Sequence, residues 1–85
     1  MQYIINSDYI LNKSENFNTI FTSDMKKVYV LKKIESIIVE QFLKPITIDD
    51  AIKKITEMFD ADSFNIIQCN EFIDELFSEN ILVQC

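Results

Sequence analysis

The chain has 85 residues, a net charge of −6 and 48% hydrophobic residues, so it is long enough for one small hydrophobic core. It contains no Gly, no His and no Trp, and all 8 of its basic residues are Lys. These absences exclude a Walker loop and a dinucleotide fingerprint, which need Gly, and a Ser–His or Cys–His nucleophile, which needs His.

The side chains that remain for catalysis are carboxylates, lysines and two thiols. Paired carboxylates support glycosidase chemistry only within a cleft, which a domain of this size rarely builds. The composition therefore predicts a protein that is not an enzyme and that has no catalytic residues, no cofactor and no metal site.

The sequence also predicts a cytoplasmic location. The segment from Met1 to Lys13 has no basic start, and no apolar run approaches the roughly 20 residues that span a bilayer. Cys69 and Cys85 lack the spacing of a redox or zinc motif, and we expect both to be free thiols, with a disulfide between them as the alternative. No membrane contact is predicted.

The first third of the chain has the composition of strands, over about 3–12, 17–22 and 27–31. The second and third segments are rich in β-branched and aromatic residues, and Ser23-Asp24 between them is typical of a turn. Because the connection is short, the two strands are expected to form an antiparallel hairpin.

From Ile34 onward the spacing of apolar residues becomes helical, and it predicts helices over about 33–43, 48–59 and 66–79. The first ends at Lys44-Pro45, because proline disfavours a helical residue before it. Thr47 is the expected N-cap of the second helix, and Asn65 with Gln68 is expected to cap the third. Ile81 to Val83 follow as a short strand or a packed tail.

The polar stretch from Asp60 to Ser63 is predicted to be a connector. Asp60-x-Asp62 matches the start of a calcium loop, but Phe64 occupies the third ligand position and the Gly of the sharp turn is missing.

Together these elements predict one α+β domain over 1–85, with a three-stranded antiparallel sheet followed by three helices. This order is compatible with a winged helix-turn-helix-like fold. A helical hairpin with a flanking sheet satisfies the same periodicity.

An ordered pattern of apolar residues carries a family resemblance. A strand ending in Leu31 runs into a helix, a Thr-started helix follows from Thr47, and the chain closes with Asn70-Glu71-Phe72-Ile73-x-x-Leu76 and Asn80-Ile81-Leu82. This pattern resembles the pyrroloquinoline quinone biosynthesis protein D family (PqqD-like), also called recognition elements of ribosomally made, post-translationally modified peptides (RiPPs). The chain departs from the family at Lys32, where Asn is common, at Lys44-Pro45, where Asp-Gly is common, and at Asn70, where Asp is common.

The resemblance implies a cytoplasmic peptide chaperone of natural product biosynthesis. Such a domain binds the leader segment of a precursor peptide without catalysis and presents it to a separate modifying enzyme, such as a radical SAM enzyme, a leader peptidase or a cyclase. In the family the leader adds as an antiparallel strand beside the third strand and packs on the third helix. The residues implied here are Lys27, Val28, Tyr29, Val30 and Leu31 on the strand, and Cys69, Phe72, Ile73, Leu76 and Glu79 on the helix.

Each of these residues also has a purely structural interpretation. The segment Lys27 to Leu31 has no proline, so it is chemically competent for strand addition. The alternative is that this strand is internal to the sheet. The apolar residues from Cys69 to Phe77 line a groove, or they are core. Lys26 and Lys27 guard the edge against aggregation, or they pair with acidic leader residues. The acids of the third helix form a solvated face, or they favour Lys or Arg in the leader.

The competing function is that of a winged-helix module that binds another protein or acts as a transcription regulator. Charge disfavours nucleic acid as the partner, because the third helix carries four acids, Glu71, Asp74, Glu75 and Glu79, and no base. There is also no Arg for the bidentate contact with guanine.

Overall fold

The computed structural model describes residues 1–59 and 65–85, and over these ranges it is an α+β domain in which strands precede three helices. The elements are β1 (Tyr3–Ile5), β2 (Tyr9–Lys13), β3 (Asn18–Thr22), β4 (Val28–Leu31), α1 (Lys33–Gln41), α2 (Ile48–Met58), α3 (Ile66–Ser78) and β5 (Leu82–Gln84). The predicted connector from Asp60 to Ser63 lies outside the described residues.

The predicted single sheet needs correction, because the described strands form two sheets, one of two strands and one of three. The expected first strand, over 3–12, is broken at Asn6. The Asn6 side-chain oxygen accepts a hydrogen bond from the Asp8 N–H at 3.0 Å, and the Asn6 carbonyl accepts one from the Tyr9 N–H at 2.9 Å. Asn favours such turns because its side chain bonds the backbone two residues on, so β1 and β2 separate there.

The two-stranded sheet brings the beginning and end of the described chain together. β1 pairs antiparallel with β5, with Ile5 opposite Leu82, and Tyr3 also bridges to Ile46. The closing segment, for which a strand or a packed tail was expected, is therefore a strand.

The three-stranded sheet is antiparallel, in the order β2-β3-β4. The turn before β4 is held by the Thr22 hydroxyl, which lies 2.7 Å from an Asp24 carboxylate oxygen, and this contact lowers the pKa of Asp24. Met25 in this turn has φ of 62°, a conformation that Gly or Asn adopts at lower cost.

The helix ends show why these segments are helical. The Glu35 carboxylate accepts the Lys32 N–H at 2.8 Å at the start of α1, and the Thr47 hydroxyl accepts the Asp50 N–H at 3.1 Å at the start of α2. The Asn65 side-chain oxygen accepts the Ile67 and Gln68 N–H groups at the start of α3, so Thr47 and Asn65 cap their helices as predicted, with Gln68 taking part through its backbone N–H.

Helix α3 ends in a Schellman motif centred on Asn80, which has φ of 60°. The Ile81 N–H donates to the Leu76 carbonyl at 2.9 Å, and the Asn80 N–H donates to the Phe77 carbonyl at 3.0 Å. The Asn6 side chain also donates to the Asn80 carbonyl at 3.0 Å. This motif fixes where the chain leaves α3 to enter β5.

The core lies between the inner face of the three-stranded sheet and the helices. Its buried hydrophobic side chains are Ile5, Ile20, Leu31, Ile38, Val39, Phe42, Ala51, Ile55, Cys69, Ile73, Leu76, Ile81 and Leu82. Within residues 1–59 and 65–85, no helix has the length and apolar character needed to cross a bilayer.

Candidate functional site

Strand β4 lies at an edge of its sheet. Among the described residues it pairs with β3 alone, so its other side is not covered by a neighbouring strand. The segment predicted from the sequence began one residue earlier, at Lys27, whose carbonyl accepts the Thr22 N–H at 3.0 Å just before β4 begins. The arrangement is therefore that of an edge strand and not of an internal one.

The hydrogen-bond pattern identifies which backbone groups of β4 are free. In an antiparallel pair, residues directly opposite each other alternate between pairs that exchange hydrogen bonds and pairs that do not. Lys27 bonds Thr22, and the register places Tyr29 opposite Ile20 and Val30 opposite Thr19. The N–H and C=O groups of Tyr29 therefore face β3, whereas those of Val28 and Val30 face the uncovered edge.

Successive side chains of β4 point to opposite faces of the sheet. Val28 and Val30 are 49% and 68% exposed on the outer face, whereas Leu31 is 7% exposed and Tyr29 is half-buried on the inner face. An added strand would form hydrogen bonds with the backbone of the two valines. The residues of that strand that lie opposite Tyr29 and Leu31 would point their side chains to the inner face, as Tyr29 and Leu31 do.

A groove of about 180 Å³ lies between the inner face of β4 and the C-terminal half of α3. Tyr29 and Leu31 form one wall, and Phe72, Leu76 and Glu79 of α3 form the other. These five are among the residues implied by the family resemblance. The fold brings the strand residues next to the helix residues, although Leu31 and Phe72 are 41 positions apart in the sequence.

A second, more polar cavity of about 270 Å³ continues the groove toward the start of α1. It shares Phe72 and Glu75 with the first, and Cys69, Ile34 and Lys32 also line it. We refer to the two cavities together as the β4–α3 groove.

The remaining predicted helix residue, Ile73, does not line this groove. It is 2% exposed and belongs to the core. Phe77, on the same apolar stripe, is turned toward Tyr3, whose ring centroid lies 5.1 Å away in an edge-to-face contact. The wide apolar stripe of α3 is therefore shared between the core, the β1 side and the groove.

Several groove residues were not identified from the sequence. Ile20, fully buried on β3, and Ile81, after α3, line the apolar part. Glu35 of α1 lines the polar part. Periodicity assigns residues to a face of their own element, but it does not show which elements meet, so no sequence signal pointed to these three.

One hydrogen bond spans the groove at its apolar end. The Tyr29 hydroxyl donates to the Glu79 carboxylate at 2.8 Å and so links β4 to the end of α3. This bond to an anion, helped by partial burial, raises the pKa of Tyr29 to about 12. The Tyr9 hydroxyl donates to the Glu79 carbonyl at 3.4 Å, so Glu79 contacts tyrosines from both edge strands.

Both cysteines are free thiols. Cys69 is buried at the polar end of the groove, and burial raises the pKa of its thiol, which makes it a poor nucleophile at neutral pH. Cys85 is exposed.

The chain matches no family model, no curated protein and no solved structure. The resemblance to the leader-binding family therefore stays a prediction. The free edge of β4 and the adjoining groove are the features from which a function can be inferred.

Proposed function

We propose that this protein binds the leader segment of a ribosomally synthesised precursor peptide by strand addition at β4, without catalysis, and presents it to a separate modifying enzyme. The observation that carries the proposal is the coincidence of an uncovered strand edge at Val28 and Val30 with a groove on the inner side of the same strand. Strand addition derives affinity from main-chain hydrogen bonds and specificity from pockets for alternate side chains.

The arrangement of the helices and the three-stranded sheet is also consistent with a winged helix-turn-helix-like domain. In that class the third helix is the usual nucleic-acid contact. Here α3 carries Glu71, Asp74 and Glu75 on its exposed side, and a negative helix repels phosphate. The charge therefore favours a peptide over nucleic acid as the ligand.

The proposal is tested by removing the backbone donor of Val30. Val30→Pro deletes an N–H that faces the uncovered edge and leaves the bonds to β3 in place, since proline is tolerated on an edge strand when its nitrogen faces solvent. Peptides selected from a displayed random library against the wild-type protein should lose affinity for this variant by about tenfold or more.

Lys13→Pro is the matched control, because the Lys13 N–H faces outward from β2, the opposite edge of the same sheet. It should leave affinity unchanged. Val30→Thr keeps the N–H and alters only the outward side chain, and it should bind almost as well as the wild type. Circular dichroism checks that each variant is folded.

If Val30→Pro does not fold, the wild type is titrated with the selected peptides and followed by NMR. Strand addition at β4 should change the chemical shifts of the Val28 and Val30 amides most. Selected peptides that bind Val30→Pro as tightly as the wild type, or that shift other amides, would contradict the proposal.

A further inference from the structure

The charges that line the β4–α3 groove indicate what kind of peptide it accepts. Among the described residues, the acidic ones that line the groove are Glu35, Glu71, Glu75 and Glu79, and the basic one is Lys32. The groove thus combines an apolar floor with a negative rim, and a complementary occupant has apolar and positively charged side chains.

Two of the four carboxylates already have partners. Glu35 accepts the Lys32 N–H, and Glu79 accepts the Tyr29 hydroxyl. Within residues 1–59 and 65–85, Glu71 and Glu75 have neither a hydrogen bond nor an ion pair through their carboxylates. They lie four residues apart on α3 and so occupy the same face, where their charges repel each other. A positive side chain in the groove would relieve this repulsion.

The register of strand addition determines the spacing of the occupant's side chains. Peptide residues that bond to Val28 and Val30 face the outer side of the sheet, so the residues opposite Tyr29 and Leu31 face the groove. In an antiparallel addition, the peptide residue opposite Leu31 lies two positions before the peptide residue opposite Tyr29. The next groove-facing residue lies four positions before the residue opposite Tyr29, beside the start of α1.

The two ends of the groove differ in polarity along this direction. Tyr29 lies at the apolar end with Leu76 and Ile81, whereas Lys32 and Glu35 lie at the polar end with Glu71. Glu75 borders both parts. An apolar peptide side chain therefore fits opposite Tyr29, and a basic one fits toward Glu71 and Glu75.

Resting on the proposed function, we infer that the bound segment carries a Lys or Arg two or four positions before an apolar residue, with both on the groove-facing side of an extended strand. The even spacing is required because alternate residues of a strand share a face. The order is required because Glu71 and Glu75, the carboxylates without a partner, lie toward the polar end of the groove, whereas Glu79 at the apolar end is bonded to the Tyr29 hydroxyl.

The inference is tested with synthetic Thr-rich peptides of identical composition, each with one Leu and two Lys. In the matched peptide the Lys residues lie two and four positions before Leu. In the off-face peptide they lie one and three positions before it, and in the reversed peptide they lie two and four positions after it. NMR titration of the protein gives each affinity, and the matched peptide should bind about fivefold more tightly than the others.

Variants then identify the acids responsible. The double variant Glu71→Gln, Glu75→Gln should abolish the preference for the matched peptide. Asp49→Asn, Glu57→Gln changes the net charge equally on α2, away from the groove, and should preserve the preference. Equal affinity of the matched and off-face peptides for the wild type, or tighter binding of the reversed peptide, would overturn the inference.

A peptide with Gln in place of both Lys separates this inference from the proposed function. If the Gln peptide equals the matched peptide in affinity and both need the Val30 N–H, strand addition stands and the basic motif is wrong. If neither peptide shifts the Val28 and Val30 amides at any concentration reached, both strand addition and the motif are wrong.

Discussion

The three-stranded sheet has two edges, and they differ in what surrounds them. On β4, the outward backbone groups belong to Val28 and Val30, and the groove against α3 opens on the inner side of the strand. On β2, the same alternation directs the backbone N–H and C=O groups of Leu11 and Lys13 away from β3. The Tyr9 N–H is already bonded to the Asn6 carbonyl. Neither cavity of the β4–α3 groove is lined by a residue of β2. A wider depression of about 590 Å³ adjoins the β2 edge at Lys13, but its lining residues are polar or charged apart from Ile37.

The two edges are also held to the helices differently. At β4, the Tyr29 hydroxyl bonds the Glu79 carboxylate of the α3 terminus. At β2, the Lys13 ammonium pairs with the Glu40 carboxylate of α1 across an exposed surface. A charged Lys at an edge is a common protection against unwanted strand pairing. The β4 edge is therefore the better candidate binding site, because the groove beside it has an apolar floor, whereas the depression beside β2 is lined mainly by polar and charged side chains.

The largest expected effect concerns β3, the strand that both edges share. Ile20 is fully buried on its inner face, and Ile20→Ala should lower the free energy of unfolding by about 3 kcal/mol, measured by urea denaturation. Thr19→Ala, on the neighbouring outer position, is the control and should change the free energy of unfolding by less than about 1 kcal/mol. Equal effects would mean that the inner and outer faces of β3 are misassigned.

The next effect is on amide hydrogen exchange in the free protein. The N–H groups of Tyr29 and Leu31 donate to β3, whereas those of Val28 and Val30 face solvent, so the first pair should exchange on the order of 100-fold more slowly. Ile10 and Asn12 should likewise be protected relative to Leu11 on β2. A bound peptide should slow Val28 and Val30 and leave Leu11 unchanged. Protection of Leu11 by the peptide would place binding at the wrong edge.

A smaller effect is expected at the Tyr29–Glu79 bond. The pKa of Tyr29 is raised from about 10 in the unfolded chain to about 12 in the folded protein, so its stabilising effect is complete below about pH 10 and is lost as the pH rises through 12. Tyr29→Phe should remove this part of the alkaline destabilisation, and Tyr3→Phe should not. Alkaline unfolding curves that coincide for Tyr29→Phe and the wild type would show that the bond does not stabilise the fold.

The smallest effect is expected at the ion pair between Lys13 of β2 and Glu40 of α1. The Lys13 side chain is 60% exposed, and its pair with Glu40 is screened by water and salt. Lys13→Gln should change the free energy of unfolding by less than about 0.5 kcal/mol, and added salt should reduce even that difference. A loss that exceeds 1 kcal/mol at high salt would show that Lys13 contributes through packing and not through its charge.

The sequence determined the local structure well where a local signal exists. The caps at Thr47 and Asn65 and the end of α1 before Pro45 follow from side chains that bond or block neighbouring backbone groups. Alternation and β-branched composition located β3 and β4 within a residue. The break at Asn6 was not predicted. Asn6 favours the turn that separates β1 from β2, but one strand over 3–12 also fitted the composition, and the separate pairing of β1 with β5 became visible only in the fold.

Only the tertiary structure decided which strand is an edge and which side of α3 faces a groove. Strand order depends on pairings between distant segments, and an apolar stripe carries no information about its partner. The same is true of Ile20 and Ile81, which reach the groove from elements distant in sequence, and of Ile73, which the fold directs into the core. The sequence thus determined the elements, the acidic character of α3 and the absence of Gly and His. Their packing determined that the negative rim, the apolar floor and the uncovered edge lie side by side.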